Sequence, residues 1–130
     1  MSTTGWQWTE IEPGIGFSIP PDARRGAGVP VDSTAGFFDG AGYRITFDLG
    51  RFGERLEDLA DERDFRSRSR VVAGRSGAEV AFQPSDEPFE WARVVQVDVG
   101  SGRTLTVRVS CESRPRCSLA DQVFDSIMFP

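Results

Sequence analysis

Trp91-Ala-Arg-Val-Val-Gln-Val-Asp-Val99, Gly100-Ser-Gly-Arg103 and Thr104-Leu-Thr-Val-Arg-Val-Ser-Cys111 form the stretch on which the fold turns. In its second half Leu105, Val107, Val109 and Cys111 fall on one side of an extended chain, and Thr104, Thr106, Arg108 and Ser110 on the other. A period of two marks a strand with one covered and one wet face. The glycine-bearing connection predicts an antiparallel hairpin, so the chain is organised around a sheet.

The same alternation recurs upstream. Tyr43, Ile45, Phe47 and Leu49 share a face of Tyr43-Arg-Ile-Thr-Phe-Asp-Leu49, and Asp39-Gly-Ala-Gly42 turns into that strand from one beginning at Phe37-Phe38. Trp6-Gln-Trp-Thr-Glu-Ile11 and Gly16-Phe-Ser-Ile-Pro20 read as two further strands divided by Pro13-Gly14. Residues 22–36, with Arg24, Arg25, Gly26, Gly28 and Pro30, read as a loop. Phe65-Arg-Ser-Arg-Ser-Arg-Val-Val72 is extended, with Arg66, Arg68 and Arg70 on one side. Gly74-Arg-Ser-Gly77 predicts a turn into the strand Ala78-Glu-Val-Ala-Phe82, and residues 83–88 form a polar, proline-bearing loop.

Two segments change period. From residue 52 to about 64, Phe52, Leu56, Leu59, Ala60 and Arg63 recur at helical spacing amid Glu54, Glu57, Asp58, Asp61 and Glu62, which predicts an amphipathic helix with an acidic outer face. Ser118 followed by Asp121 resembles a capping box, opening a helix whose apolar stripe is Leu119, Ala120, Val123, Phe124 and Ile127. That stripe must dock on the sheet.

At 130 residues the chain has room for one domain, residues 1–130, and 38% hydrophobic content with 10 Phe supplies a core. Its basic residues are 15 arginines, and it has neither His, Lys nor Asn. Without imidazole the usual neutral-pH base, the serine and cysteine triads and the commonest zinc ligand are gone. Without Lys there is no P-loop cation and no Schiff base. These gaps predict a non-enzymatic chain with no cofactor, no metal and no catalytic residue. A net charge of −5 opposes phosphate backbones and anionic lipid surfaces, so nucleic acid and membranes are not expected partners. No run approaches the roughly 20 apolar residues of a spanning helix, and Met1-Ser-Thr-Thr-Gly5 lacks the features of a signal peptide. The chain is then either cytosolic or a mature form whose export segment has been removed.

Cys111 and Cys117 enclose Glu112-Ser-Arg-Pro-Arg116, a gap unlike the two-residue spacing of redox motifs and poor in zinc ligands. A disulfide is favoured over two unrelated buried thiols. It would tie the end of a core strand to the start of the closing helix, and it implies an oxidising, periplasmic or extracellular compartment.

The order Gly16-Phe-Ser-Ile-Pro20, Ile45-Thr-Phe-Asp-Leu-Gly50, Val72-Ala-Gly-Arg-Ser-Gly-Ala78, Thr104-Leu-Thr-Val107 and Ala120 through Phe129 resembles the small PsbP-like or DcrB-like domains, many of them exported bacterial lipoproteins. The resemblance spans most of the chain. It implies an α+β, Mog-type α/β/α sandwich: a curved, mainly antiparallel sheet of about six strands flanked by helices. Relatives of this kind are mostly binding or assembly modules, including photosystem assembly factors, a Ran-binding protein and chaperones of secreted effectors. The resemblance transfers no catalytic residue.

The candidate binding residues are Trp6, Trp8, Trp91, Arg66, Arg68 and Arg70. An exposed Trp6–Trp8 pair would suit a protein partner or an aromatic ligand, whereas all three Trp side chains filling the core is the commoner arrangement. Arginines about 7 Å apart along a strand face could clamp a carboxylate or phosphate, although such a run more often serves as a solvated edge, here balanced by the acidic helix before it. Glu54, Glu57, Asp58, Asp61 and Glu62 lack the burial needed to hold a metal or act as acid and base. The expected role is therefore an exported protein-interaction or ligand-binding domain. The alternatives are a cytosolic secretion chaperone or immunity-type partner and, third, a hydrolase working through paired carboxylates.

Overall fold

The alternating runs become strands. The computed structural model describes residues 5–26, 34–50 and 55–130. In it β3 (Arg24–Arg25), β4 (Ala35–Gly40), β5 (Tyr43–Gly50), β6 (Arg63–Val72), β7 (Arg75–Gln83), β8 (Trp91–Gly100) and β9 (Arg103–Cys111) make one antiparallel sheet in the order β3-β4-β5-β9-β8-β7-β6. β1 (Gln7–Glu12) and β2 (Ile15–Ile19) form a separate hairpin.

Register explains the core. β9 pairs Leu105 with Leu49 on one side and with Val97 on the other, and Val107 with Phe47 and Val95. The apolar sets of β5, β9 and β8 therefore share a face, as a period of two requires. The β1-β2 hairpin and α1 (Leu119–Asp125) cover it, and Leu119, Ala120, Val123, Phe124 and Ile127 are buried there. Phe17 meets Phe38 and Phe47 edge-on, with ring centres 6.3 and 6.0 Å apart. Each fully buried Phe of this kind contributes about 2–3 kcal/mol. Met128 pairs with Gly16 through two backbone hydrogen bonds of 2.9 and 3.1 Å, so the chain after α1 closes along the free side of β2. On the opposite face of the sheet Leu56 and Leu59 pack with Val80, Phe82, Ala92 and Val94 in a smaller cluster.

Cys111 and Cys117 are joined as a disulfide with Cα atoms 5.4 Å apart. It links the end of β9 to a 3-10 turn, Pro115–Ser118, that runs directly into α1. On chain entropy a loop this short contributes about 2 kcal/mol.

Several expectations need correction. The sheet has seven strands instead of about six, and α1 is the one α-helix among the described residues, so helices do not flank both faces. Where a helix was expected from 52 to about 64, a single 3-10 turn, Leu56–Leu59, stands and β6 begins at Arg63; Phe52 and Glu54 lie outside the described residues. A 3-10 turn eclipses positions three apart, so Leu56 and Leu59 both reach the sheet, while Ala60 and Arg63 are exposed and give no reason to extend the helix. The expected loop at 22–36 contains β3 and the first residues of β4. The turn expected at 74–77 is the tighter Ala73-Gly74, both with positive φ (50° and 83°), which leaves Arg75, Ser76 and Gly77 in β7. Ser118 precedes α1 but makes no side-chain capping bond. Asp121, the other half of the expected box, points to arginines of the sheet instead.

Candidate functional site

Charged residues interrupt the face of the sheet on which α1 lies. Along β8, Trp91, Arg93, Val95 and Val97 point the same way, and Arg93 is the polar exception. Along β7, Glu79 pairs across from Val95 and Ala81 across from Arg93, which puts Glu79 on that face as well. From the far side β6 pairs Arg68 with Glu79 and Arg70 with Gly77. The arginine ladder therefore faces α1, and the alternation read from the sequence places its side chains correctly.

Its counter-charges are not those expected. Among the described residues Glu57 pairs with Arg55, and Glu62 accepts from Ser85, so the acidic segment does not balance the ladder. Glu79, only 3% exposed, takes that role. It accepts from Arg68 Nη2 at 3.1 Å, Arg70 Nη1 at 2.8 Å and Arg93 Nε at 2.9 Å. Asp121 of α1 accepts from Arg70 Nη1 at 3.1 Å and Arg93 Nη2 at 2.7 Å, and Asp125 from Arg70 Nη2 at 2.8 Å. Arg93 also donates to the Cys117 carbonyl at 3.2 Å, which fastens the disulfide turn to β8. Both Arg70 and Arg93 stand over the ring of Phe124, at 5.3 and 5.7 Å.

The electrostatics follow from this packing. Burial pushes the Glu79 carboxyl up, but the charge of Arg93 and the hydrogen bonds from Arg70, Arg93 and Arg68 outweigh it and leave the group below the usual carboxylate range. The hydrogen bond from Arg93 does the same for Asp121 against its partial burial. Neither carboxyl is a proton donor near neutral pH.

Between this network and the disulfide turn lies a recess of about 410 Å³, lined by Arg66, Arg68, Arg93, Arg114, Trp91 and Pro115, with Glu79, Asp121 and Cys117 among the remaining walls. Arg114 lies over the Trp91 ring at 4.3 Å. Four guanidiniums face two carboxylates here, in a chain whose net charge is −5. Arg68 and Arg93 are engaged by Glu79 and Asp121, whereas Arg66 and Arg114 form no ion pair among the described residues.

The expected site residues divide accordingly. Arg66, Arg68 and Trp91 are brought together around the recess, and Arg70 sits just behind it as a buried support. Trp91 is 5% exposed, a core residue that also lines the recess. Trp6 packs partly buried against the main core, one residue before β1, while Trp8 is 46% exposed on the outer face of the hairpin, so the two do not form one exposed pair. Glu79, Arg93 and Arg114 were not singled out from the sequence, and Asp121 only as half of a capping box. A readable signal existed for two of them: a charge at a core-facing position of a strand, as Arg93 and Glu79 both are. Among the described residues no group of three or more His, Cys, Asp or Glu gathers as a metal site.

No protein-family model matches the chain, and no curated protein does. The solution structure of cyanobacterial PsbP (CyanoP) from Synechocystis sp. PCC 6803 is similar to it, with a TM-score of 0.66 at 13% identity, over 100% of this chain and 95% of that one. At that identity the likeness establishes architecture, and the chain has a PsbP-like fold.

Proposed function

We propose, with the PsbP-like fold as the premise, that this chain is a non-enzymatic, exported binding domain that takes a carboxylate of a partner protein into the arginine-lined recess. The observation that carries the reading is the pair Arg66 and Arg114, which form no ion pair among the described residues, at a concave, partly apolar site beside Trp91. Guanidiniums match a carboxylate two bonds at a time, and Trp91 and Pro115 give the recess an apolar side. Glu79 and Asp121 do not suit the acid-and-base pair of a carboxylate hydrolase, which needs one member protonated, since arginines hold both ionised. Export is supported by the disulfide, which persists in oxidising compartments.

N-acetylglutamate, titrated against isotope-labelled protein, is expected to shift the Nε–H resonances of Arg66, Arg68 and Arg114 and the Trp91 indole selectively, with millimolar affinity that falls with added salt. Shifts spread evenly over the surface arginines would overturn the recess as the site, and so would an Arg66→Glu, Arg114→Glu double variant that binds as well as wild type. For the compartment, protein taken from its native host and alkylated before denaturation and again after it, with no reductant present, is expected to gain no mass. Two labelled thiols in that experiment count against export.

A further inference from the structure

β6 is the last strand of the sheet order, ten residues long, and no strand pairs its outer side among the described residues. Its backbone phase is fixed by the turn beyond it. A two-residue turn at Ala73-Gly74 makes Val72 and Arg75 a hydrogen-bonded pair, so bonded pairs recur at Arg70–Gly77 and Arg68–Glu79. The N–H and C=O groups of Ser67, Ser69 and Val71 therefore point away from β7. From Arg66 to Val72 the strand keeps continuous register with β7 and contains no proline; the one irregularity lies between Arg63 and Arg66. From Arg66 to Val72 neither proline nor bulge protects the edge, and the charge of its arginines is the protection left.

Hollows lie on both faces beside this edge. On the α1 face is the recess with Arg66, Arg68 and Arg114. On the other face is a hollow of about 490 Å³ between the 3-10 turn and the strands, with Leu56, Ala60, Phe65 and Val80 among its walls, Glu57 at the turn, and Ser67, Arg68 and Ser69 along the strand. Side chains of an added strand alternate between the two faces, so one set would meet arginines and the other apolar walls. A second copy of this chain is a poor occupant, because an antiparallel β6–β6 pair sets arginine opposite arginine at close range.

We infer that β6 accepts an extended segment of an acidic partner polypeptide as an eighth strand, its alternate carboxylates entering the arginine recess and its alternate apolar side chains the hollow beneath the 3-10 turn. The carboxylate half rests on the function proposed above; the strand addition rests on the edge alone. The net negative charge of the whole chain does not prevent this, since local guanidinium excess dominates within a screening length of about 8 Å at physiological salt.

The test is fluorescence anisotropy with an octapeptide alternating Glu and Val, against a block peptide of the same composition and an alternating Arg–Val peptide. The alternating acidic peptide is expected to bind at least tenfold more tightly than either. Ser69→Pro removes one outward N–H without touching the ladder to β7, and is expected to weaken binding at least tenfold while the melting temperature stays within a few degrees. Two N-methylated peptides serve should that variant fail to fold: with alternate residues methylated in one phase binding is expected to be lost, and in the other phase kept. Equal loss or equal retention in the two phases overturns strand addition. If both phases bind and Arg66→Glu, Arg114→Glu does not, strand addition fails and the carboxylate recess stands. If one phase is lost while the charge reversal binds normally, the recess reading fails and the eighth strand stands.

Discussion

Glu79→Ala is expected to destabilise the protein by about 3 kcal/mol, lowering the melting temperature by roughly 10 °C or more. The carboxylate is 3% exposed and neutralises Arg70 and Arg93, whose side chains are each 11% exposed. Its removal leaves two guanidiniums in a desolvated place with fewer partners, and the cost of stranding buried charge is about 3–5 kcal/mol. The lower end applies because Asp121 stays within 3.1 Å of Arg70 and 2.7 Å of Arg93. Glu79→Gln keeps the volume and one acceptor and is expected to cost about 1.5 kcal/mol. The pair of variants also reads the acid limb of stability. Because the folded-state value of Glu79 lies below its unfolded value, near 4.3, its contribution is fully present above the latter. It is lost as pH falls through the folded value. Wild type should therefore lose more melting temperature than Glu79→Gln between about pH 5 and pH 3. Curves that run parallel over that window would show that Glu79 is not a charged counter-ion.

Phe124→Ala is expected to cost about 4 kcal/mol, read as a shift of the urea midpoint with an unchanged slope. The ring is fully buried in the main core, so truncation opens a cavity beneath α1. It is also the surface on which Arg70 and Arg93 rest, and its loss removes their cation–π contact together with the support of the recess. Phe124→Leu separates the two effects, since it refills most of the space without a π face and is expected to cost about 1.5 kcal/mol. If Phe124→Leu equals Phe124→Ala, cavity formation is not the main cost.

The hairpins were legible because alternation over five or more residues is hard to imitate by chance, and Tyr43 to Leu49 and Leu105 to Cys111 fall where it puts them, although Thr106 and Ser110, expected on a wet face, are buried. The disulfide was legible from the spacing of two cysteines around a strand end and a helix start. What failed was local context. Leu56 and Leu59 are spaced for a helix or for one 3-10 turn, and only the sheet beneath them decides between these. β3, at two residues, carries no period at all. The site was half legible for a related reason. A strand's sequence shows that Arg66, Arg68 and Arg70 share a face, but which carboxylates that face meets depends on the neighbouring strand and on a helix 51 residues away from Arg70. Asp121 was readable only as a local cap, and the tertiary partner won.

The position of α1 in the chain has a consequence for how the molecule comes into being. Residues 119–127 roof the main core, and they follow the nine strands of the described residues. A polypeptide emerging amino end first from a ribosome shows the face of Ile45, Phe47, Val95 and Val107 without that roof until residues 119–127 arrive. Closure of the domain then waits on this one short segment, whatever the order in which the strands themselves pair.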